Sequence, residues 1–476
     1  MLVHIIRKEL IDQMLSLRFA IACAVCASAL LLSALVLARN FSEASSIYHM
    51  NQVMHRNDVL QRTRVWDLWQ GVTVDRPLNV MNALVGGMHS SLTESVKVQM
   101  GNRLDFPEDY EKNPLLPLFP KVDFVFITGI IMSLLALAFS YDAVSGEKES
   151  GVLKLVMSYS VPRDLVLMGK WIGGYLALVL PFLLSFCASM VVLMLFPEVV
   201  IGPSDALVIL SLVAAALLYL AVVYSLGIFV SCRTEMASTS ITVLLLVWVV
   251  FILAVPNMAP YLTSQLLPVS SRESVDREKG EMQGEMSRKY MAAVEEEVKR
   301  SGKNRNQVVQ DSVFQEKMRK VSEEHQQMLQ KVEDNYAVKI QEQTRWSGIV
   351  ARISPLTSFN LAAFNLAASG IEQERRYIDA LKKYSTSWEE YSNEKRKAWD
   401  EFMKQRQQAG GAMSFNPQDM ERFNNLDLSD YPRFHFEHMS FRERVVSVWM
   451  DVVLLVVWAV LFFMLAYISF LRYDVQ

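Results

Sequence analysis

The chain has 476 residues, of which 52% are hydrophobic, and its mean hydropathy is +0.20. The formal net charge is -3, so the composition excludes a protein that binds nucleic acid through a strongly basic surface. The apolar residues are concentrated in long uncharged runs, and about 20 such residues are what a helix needs to cross a bilayer core.

Six uncharged apolar runs divide the chain. They occupy residues 19–38, 124–141, 171–197, 206–232, 236–256 and 452–471. Six runs of this length cannot all be buried in one soluble domain of this size. We therefore predict an all-α membrane protein with six transmembrane helices, at residues 17–39, 122–141, 170–197, 205–232, 236–257 and 446–471.

A short amphipathic helix is predicted before the first span, at residues 1–16. Val3, Ile6, Leu10 and Met14 recur at intervals of three or four residues, and charged side chains occupy much of the other face. We favour a helix in the inner membrane interface over a cytoplasmic extension of the first span. The first apolar run is also longer than the core of a cleaved signal peptide, which predicts a retained anchor.

The orientation follows from the basic residues close to the span ends. Six spans with both termini in the cytoplasm place most of these residues on one side, as the positive-inside rule requires. They are Arg7, Lys8, Arg18, Lys148, Lys154, Arg163, Lys170, Arg233 and Arg472. Arg39 and Arg444 fall on the other side and weaken the bias.

Two large segments are then predicted outside the membrane, at 40–121 and 258–445. The first is polar and ends in the proline-rich stretch 113–120, which prevents a regular helix. The second contains charged helices at 271–300 and 305–346 with facing apolar stripes, which predicts a coiled-coil hairpin. A short Ala-rich helix at 357–369 and a charged helix up to residue 408 follow it.

The cysteines and histidines suggest no further site. All four cysteines lie in or beside predicted spans, so we expect no disulfide in the outside segments. His435 and His438 are close in sequence, as are His49 and His55, but neither pair belongs to a complete ligand set. We predict no metal.

The loop between the second and third spans, residues 142–169, has the most informative sequence. A short helix that begins near residue 145 carries acidic residues at its N-terminal end, where the helix dipole favours them, and an apolar segment follows. Such a helix on the inner surface can dock in a groove of a cytoplasmic partner. The alternative is an ordinary solvated loop. The residues in question are Asp142, Gly146, Glu147, Glu149, Gly151, Leu153, Pro162 and Arg163.

This pattern resembles the signature of permeases of the type-two class of ABC exporters, also described as type V-like transmembrane subunits. Lys170, which opens the third span, fits the same pattern, whereas Val152 stands where the family often has Thr. Residues 353–381 resemble a recurring segment of the subgroup with large extracytoplasmic insertions. The resemblance implies that the stretch from Ser145 to Met157 is, as a whole, the coupling helix that contacts an ATP-binding subunit, and the eight residues from Asp142 to Arg163 named above are the predicted coupling residues.

The resemblance implies a non-catalytic permease subunit of an ATP-driven exporter in the bacterial cytoplasmic membrane. The chain lacks the GxxxxGK[ST] phosphate-binding loop, so we expect no cofactor here, with ATP and Mg on a separate ABC ATP-binding subunit. Further expected partners are a second permease, identical or paralogous, membrane lipid and an extracytoplasmic envelope protein. Two alternatives stay open: a relay or sensor that signals to envelope partners without transporting a substrate, and a scaffold without an ATPase.

Overall fold

The computed structural model describes residues 1–87, 95–99, 103–105, 122–158, 161–309, 311–408 and 426–473. These residues form two compact units, which are described separately. The first combines Met1–Val249 with Pro355–Gln476, and the second is Val250–Ser354. The proline-rich stretch 113–120, predicted to return the chain to the membrane, lies outside the described residues.

Among the described residues, six helices are long and apolar enough to cross a membrane, so the predicted fold class is confirmed. Their bounds are Leu17–Gln61, Phe124–Glu149, Arg163–Met194, Pro203–Arg233, Ala237–Leu266 and Phe441–Leu471, and we call them the first to sixth spans. The first helix continues well past its predicted end at residue 39, because no Gly or Pro interrupts it and its buried residues recur as far as Val59. An N-terminal helix, Leu2–Met14, precedes it.

Two spans contain π-helical turns, at Ile127–Met132 in the second and Val249–Ala254 in the fifth. A π turn widens the helix and frees carbonyl groups from the regular ladder. The Gly129 carbonyl accepts hydrogen bonds from the Ser133 and Tyr219 hydroxyls, at 2.7 and 2.9 Å. Hydroxyl groups therefore satisfy the irregular backbone in the second span.

A short helix, Pro355–Leu366, packs among the spans of the first unit. The Phe359 ring stacks on Tyr219 of the fourth span at 4.9 Å, and the Leu356 side chain lies over Gly129 of the second. Buried Arg444 of the sixth span donates to the Leu366 carbonyl at 3.3 Å. This is the Ala-rich helix predicted at 357–369, and the structure packs it between apolar spans.

The part of the first outside segment that is described contains a small antiparallel sheet that the sequence analysis did not predict. Its strands are β1, Val72–Asp75, β2, Ser95–Gln99, and β3, Arg103–Asp105, in the order β1-β2-β3. Two 3₁₀ turns, Val65–Gln70 and Val80–Ala83, flank β1. The sheet packs against the helix Ile371–Gln408 around buried Trp388.

The second unit is built around two long helices, Arg272–Ser301 and Ser312–Ala351. Gly302 ends the first in a left-handed conformation, with φ 65°, which favours glycine. A short helix, Arg305–Val309, follows, and Asp311 caps the second long helix through the Val313 N–H at 3.0 Å. Val294, Val308 and Phe314 form a small core where the helices meet. We call these elements the hairpin.

Candidate functional site

The end of the second span and the loop that follows it form two short helices, Ser145–Glu149 and Val152–Ser158. Gly151 joins them with φ 76°, a left-handed conformation that side chains with a Cβ rarely adopt. Its Cα faces open space, so it is the backbone angle that requires glycine here. We call residues 142–158 with 161–170 the coupling loop.

The beginning of the coupling loop is fastened to the first span. Arg18 donates to Asp142 Oδ2 at 2.7 Å and to the Tyr141 hydroxyl at 2.9 Å. The same guanidinium lies 5.0 Å from the centre of the Tyr141 ring, a cation–π distance. Gly146 is closely packed, since a Cβ there would lie 3.2 Å from Asp142 Cβ. Two of the predicted residues, Asp142 and Gly146, therefore form one contact region.

A buried lysine joins the loop to the N-terminal helix. Lys170, only 4% exposed, lies 2.6 Å from Glu147 and 2.8 Å from Glu9 through its Nζ atom. A buried ammonium needs such carboxylate partners, because an uncompensated charge costs several kcal/mol (about 3–5). Gly169 and Gly173 let the N-terminal helix approach closely, since a Cβ at either position would contact its residues.

The end of the fourth span is bound by three residues of the loop. The Ser231 hydroxyl accepts from the Val144 and Ser145 N–H groups, each at 3.0 Å. Lys148 Nζ donates to the Cys232 carbonyl at 2.7 Å and to the Thr234 carbonyl at 3.1 Å. A cation at the C-terminal end of a helix also interacts favourably with the helix dipole.

The remaining spans are reached from Glu149 and Arg163. Glu149 Oε2 accepts the N–H of Ala237, the first residue of the fifth span, at 2.9 Å. Arg163 Nη1 donates to the carbonyls of Leu471 and Tyr473, both at 3.0 Å, at the end of the sixth span. The coupling loop thus binds the ends of the first, fourth, fifth and sixth spans, as well as the N-terminal helix.

One face of the second loop helix stays open. Leu153 is fully buried, which anchors the helix, but Leu155 is 60% exposed and Val152 is 40% exposed. Exposed apolar residues on a short, otherwise polar surface are the usual composition of a protein contact.

All eight predicted site residues are described, and they have different surroundings. Asp142, Glu147, Glu149 and Arg163 bind other elements of this chain, Gly146 and Gly151 fit the backbone, Leu153 is buried and Pro162 precedes the third span. The sequence analysis missed three partners of the loop: Glu9 and Ser231, which accept hydrogen bonds from it, and Arg18, which donates to Asp142. Of these three, Glu9 could have been found from the sequence, because it lies on the polar face of the amphipathic N-terminal helix.

Three of the four histidines that were considered as metal ligands pair with other side chains. His438 Nδ1 lies 2.9 Å from Gln373 Nε2, and burial, with the nearby Arg444 and Arg76 charges, lowers the pKa of His438. His55 pairs with Asp75 at 2.9 Å and His435 with Glu437 at 3.3 Å. Over the described ranges, no three His, Cys, Asp or Glu side chains converge as a metal site would require.

Six helices that are long and apolar enough to cross a membrane, held together at one end by a short loop, indicate a multi-pass membrane protein. The family model described as ABC-2 family transporter protein matches residues 3–475, and the chain belongs to this family. It is a permease subunit of an ABC transporter.

Two relatives, each named probable ABC transporter permease protein NosY, match part of the chain. The protein from Stutzerimonas stutzeri is 38% identical over 77 residues, which are 16% of this chain and 28% of the relative. The protein from Pseudomonas aeruginosa is 40% identical over 74 residues, 15% of this chain and 27% of the relative. The matched stretch thus spans less than a third of these relatives.

Proposed function

We propose that this permease couples ATP hydrolysis by a separate ABC ATP-binding subunit to the export of a substrate, through the coupling loop. The exposed residues Val152 and Leu155 contact the ATPase. Glu147, Lys148, Glu149 and Arg163 then carry its movement to the spans. The supporting observation is that one short loop has an open apolar face on one side and bonds to four span ends on the other.

The assembly that follows from this proposal contains two permeases, identical or paralogous, and two ATPase chains in a bacterial inner membrane. ATP and Mg bind only to the ATPase chains. Both permease termini and the coupling loop face the cytoplasm, in agreement with the positive-inside rule. The outside segments, including the hairpin, then face the extracytoplasmic side, where an envelope protein is their partner.

The contact is tested by replacing one exposed residue. The variant Leu155→Asp places a charge in the apolar contact, and we expect the ATPase to be lost from the purified complex, because an unpaired buried charge disfavours association. Co-purification with an affinity-tagged ATPase measures this. Val313→Asp is the matched control, since Val313 is 78% exposed on the hairpin.

Retention of the ATPase by Leu155→Asp at the level of the control contradicts the proposed contact. Loss of the ATPase with both variants also contradicts it, because the effect then does not belong to the loop. Thermal unfolding of each permease variant without the ATPase measures whether the substitution leaves the fold intact.

A second function is a relay that signals to envelope partners without moving a substrate. The observation that favours it is the second compact unit, the 105 residues Val250–Ser354, to which the hairpin belongs. Deletion of residues 272–346 distinguishes the two. After the deletion, a transporter still exports its substrate. A relay no longer signals to its envelope partner, although the ATPase subunit still hydrolyses ATP.

A further inference from the structure

His438 connects two helices at a point just before the sixth span. Its Nδ1 atom lies 2.9 Å from Nε2 of Gln373, the third residue of the helix Ile371–Gln408. The next residue, Met439, donates its N–H to Gln373 Oε1 at 3.5 Å, and Ser440 then caps the sixth span. The Gln373 amide thus bonds both the ring and the backbone that lead into the sixth span. We call these four residues the joint.

The two bonds of the Gln373 amide define the protonation state of the ring. A backbone N–H can only donate, so the amide atom that faces Met439 is the oxygen, and the amide NH2 group faces His438. His438 Nδ1 must then accept a hydrogen bond, which only the neutral imidazole can do. The ring also forms a hydrogen bond with the backbone of Leu78, which follows β1. The neutral form of His438 therefore satisfies both bonds of the amide.

A protonated ring leaves the Gln373 amide without a satisfactory orientation. Imidazolium carries an N–H group on each ring nitrogen, so Nδ1 would face the amide NH2 group as a second donor. A half-turn of the amide brings its oxygen to the ring, but it also brings the NH2 group to the Met439 N–H. One bond is lost in either orientation, and Gln373 is only 4% exposed, so bulk water does not replace it. Protonation of His438 therefore weakens the joint.

The charged groups that face the ring have the same effect in sum. Burial lowers the pKa of His438, and the charge of Arg444 in the sixth span lowers it further. The hydrogen bond to Leu78 raises the pKa, Arg76 lowers it, and Asp205 of the fourth span raises it. The result is a pKa below the ordinary histidine value of about 6.5.

The carboxylates next to the joint in sequence are already paired. Glu374 forms an ion pair with Arg76, and Glu437 lies 3.3 Å from Nε2 of His435. An imidazolium at His438 would therefore have to compete for either carboxylate.

The direction of the pH dependence follows from these contacts. In an open joint the ring titrates near the ordinary value of about 6.5, whereas in the closed joint it titrates at a lower pH. The closed joint is therefore most stable above about pH 6.5, and it loses this stability as the pH falls from about 6.5 through the lower value.

We propose that His438 is a pH-sensitive switch that releases the start of the helix Ile371–Gln408 from the start of the sixth span in acid. In the orientation proposed above, this end of the sixth span faces the extracytoplasmic side, so the switch responds to the pH of that compartment. Only this last step rests on the proposed function, because the switch itself needs neither an ATPase nor a substrate.

Hydrogen exchange of the full-length permease, measured by mass spectrometry without the ATPase, tests the switch. Exchange is compared at about pH 7.5 and about pH 5.5, on either side of the ordinary histidine value, after correction for the intrinsic effect of pH on exchange. We expect the protection of the peptide that contains Met439 to fall severalfold in acid, because its N–H loses the Gln373 acceptor.

Two matched variants separate His438 from a neighbouring histidine. His438→Asn keeps an acceptor oxygen near the position of Nδ1 but cannot be protonated, so its protection should not change between the two pH values. His435→Asn is the control, because the His435 side chain is 82% exposed and lies outside the joint. The control should lose protection in acid as the wild type does.

A third variant covers the case in which His438→Asn does not fold. Gln373→Glu supplies two carboxylate oxygens, which can accept from the Met439 N–H and from the protonated ring at the same time. Its joint should stay protected at about pH 5.5. The proposal is overturned if the wild type keeps its protection in acid, if His438→Asn or Gln373→Glu still loses it, or if His435→Asn abolishes the change.

Discussion

The coupling loop and the hairpin are both charged segments between spans, but their charges have different roles. In the loop, Lys170 is buried between Glu9 and Glu147, and Lys148 is bonded to the end of the fourth span. In the hairpin, Arg272 and Glu333 are paired at the surface, with half and two fifths of their side chains exposed. Breaking a buried ion pair costs about 3–5 kcal/mol, whereas an exposed pair contributes about 0–1 kcal/mol. We infer that the loop transmits movement and that the hairpin is a separate body.

Among the substitutions considered, loss of the buried lysine of the loop should lower the stability of the permease most. Lys170→Met leaves Glu9 and Glu147 without their cation, and we expect a destabilisation of about 3–5 kcal/mol, because both carboxylates remain in a largely buried site. The midpoint of thermal unfolding of the purified permease measures it. Lys8→Met, on the exposed side of the N-terminal helix, is the control and should change little. Equal effects of the two variants would mean that the buried pair is not a structural link.

Replacing glycine by alanine should change the stability in opposite directions in the two regions. A Cβ at Gly173 would lie 2.7 Å from Glu9 Cβ and 3.0 Å from the Ile6 carbonyl oxygen, so Gly173→Ala should cost about 1–3 kcal/mol. Gly280 of the hairpin has nothing within 4 Å, so Gly280→Ala should stabilise its helix by about 0.5–1 kcal/mol. Unfolding followed by circular dichroism checks both signs. Stabilisation by Gly173→Ala would remove the close contact of the N-terminal helix.

The smallest effect is expected at the exposed ion pairs of the hairpin. Desolvation raises the pKa of Glu333, but hydrogen bonds from Arg272 and Lys279 outweigh it and hold the pKa below 4.5. The stabilisation is therefore complete at neutral pH and is lost as the pH falls from about 4.5 through the lower folded value. Glu333→Gln should cost at most about 1 kcal/mol at pH 7 and nothing in acid. High salt should weaken the effect, and an effect that persists in acid or salt contradicts an ionic origin.

Sequence patterns predicted the elements of this fold better than their contacts. The six spans follow from uncharged runs, and the residues of the coupling loop follow from a family pattern. The bonds from Arg18, Glu9 and Ser231 depend on helices that are distant in sequence, and no local pattern encodes them. The sheet was missed although Val72 and Val74, like Val96 and Val98, alternate with polar residues, because strands of four or five residues give a weak signal. The helix Pro355–Leu366 was predicted, but its position among the spans was not, because charged segments precede and follow it.

The central claim is that the coupling loop passes movement from the ATPase to the spans, and a label in the fifth span tests it most directly. Glu149→Ala combined with Ser231→Ala removes the bond from the loop to the fifth span and the bonds to Ser231 of the fourth, while the Lys148 bonds to the fourth span remain and Val152 and Leu155 are unchanged. A nitroxide at Leu246, which is 66% exposed, reports movement when ATP and vanadate are added to the complex with the ATPase. We predict that the double variant still binds the ATPase but loses most of the nucleotide-dependent change. An undiminished change in a complex that retains the ATPase would contradict the claim.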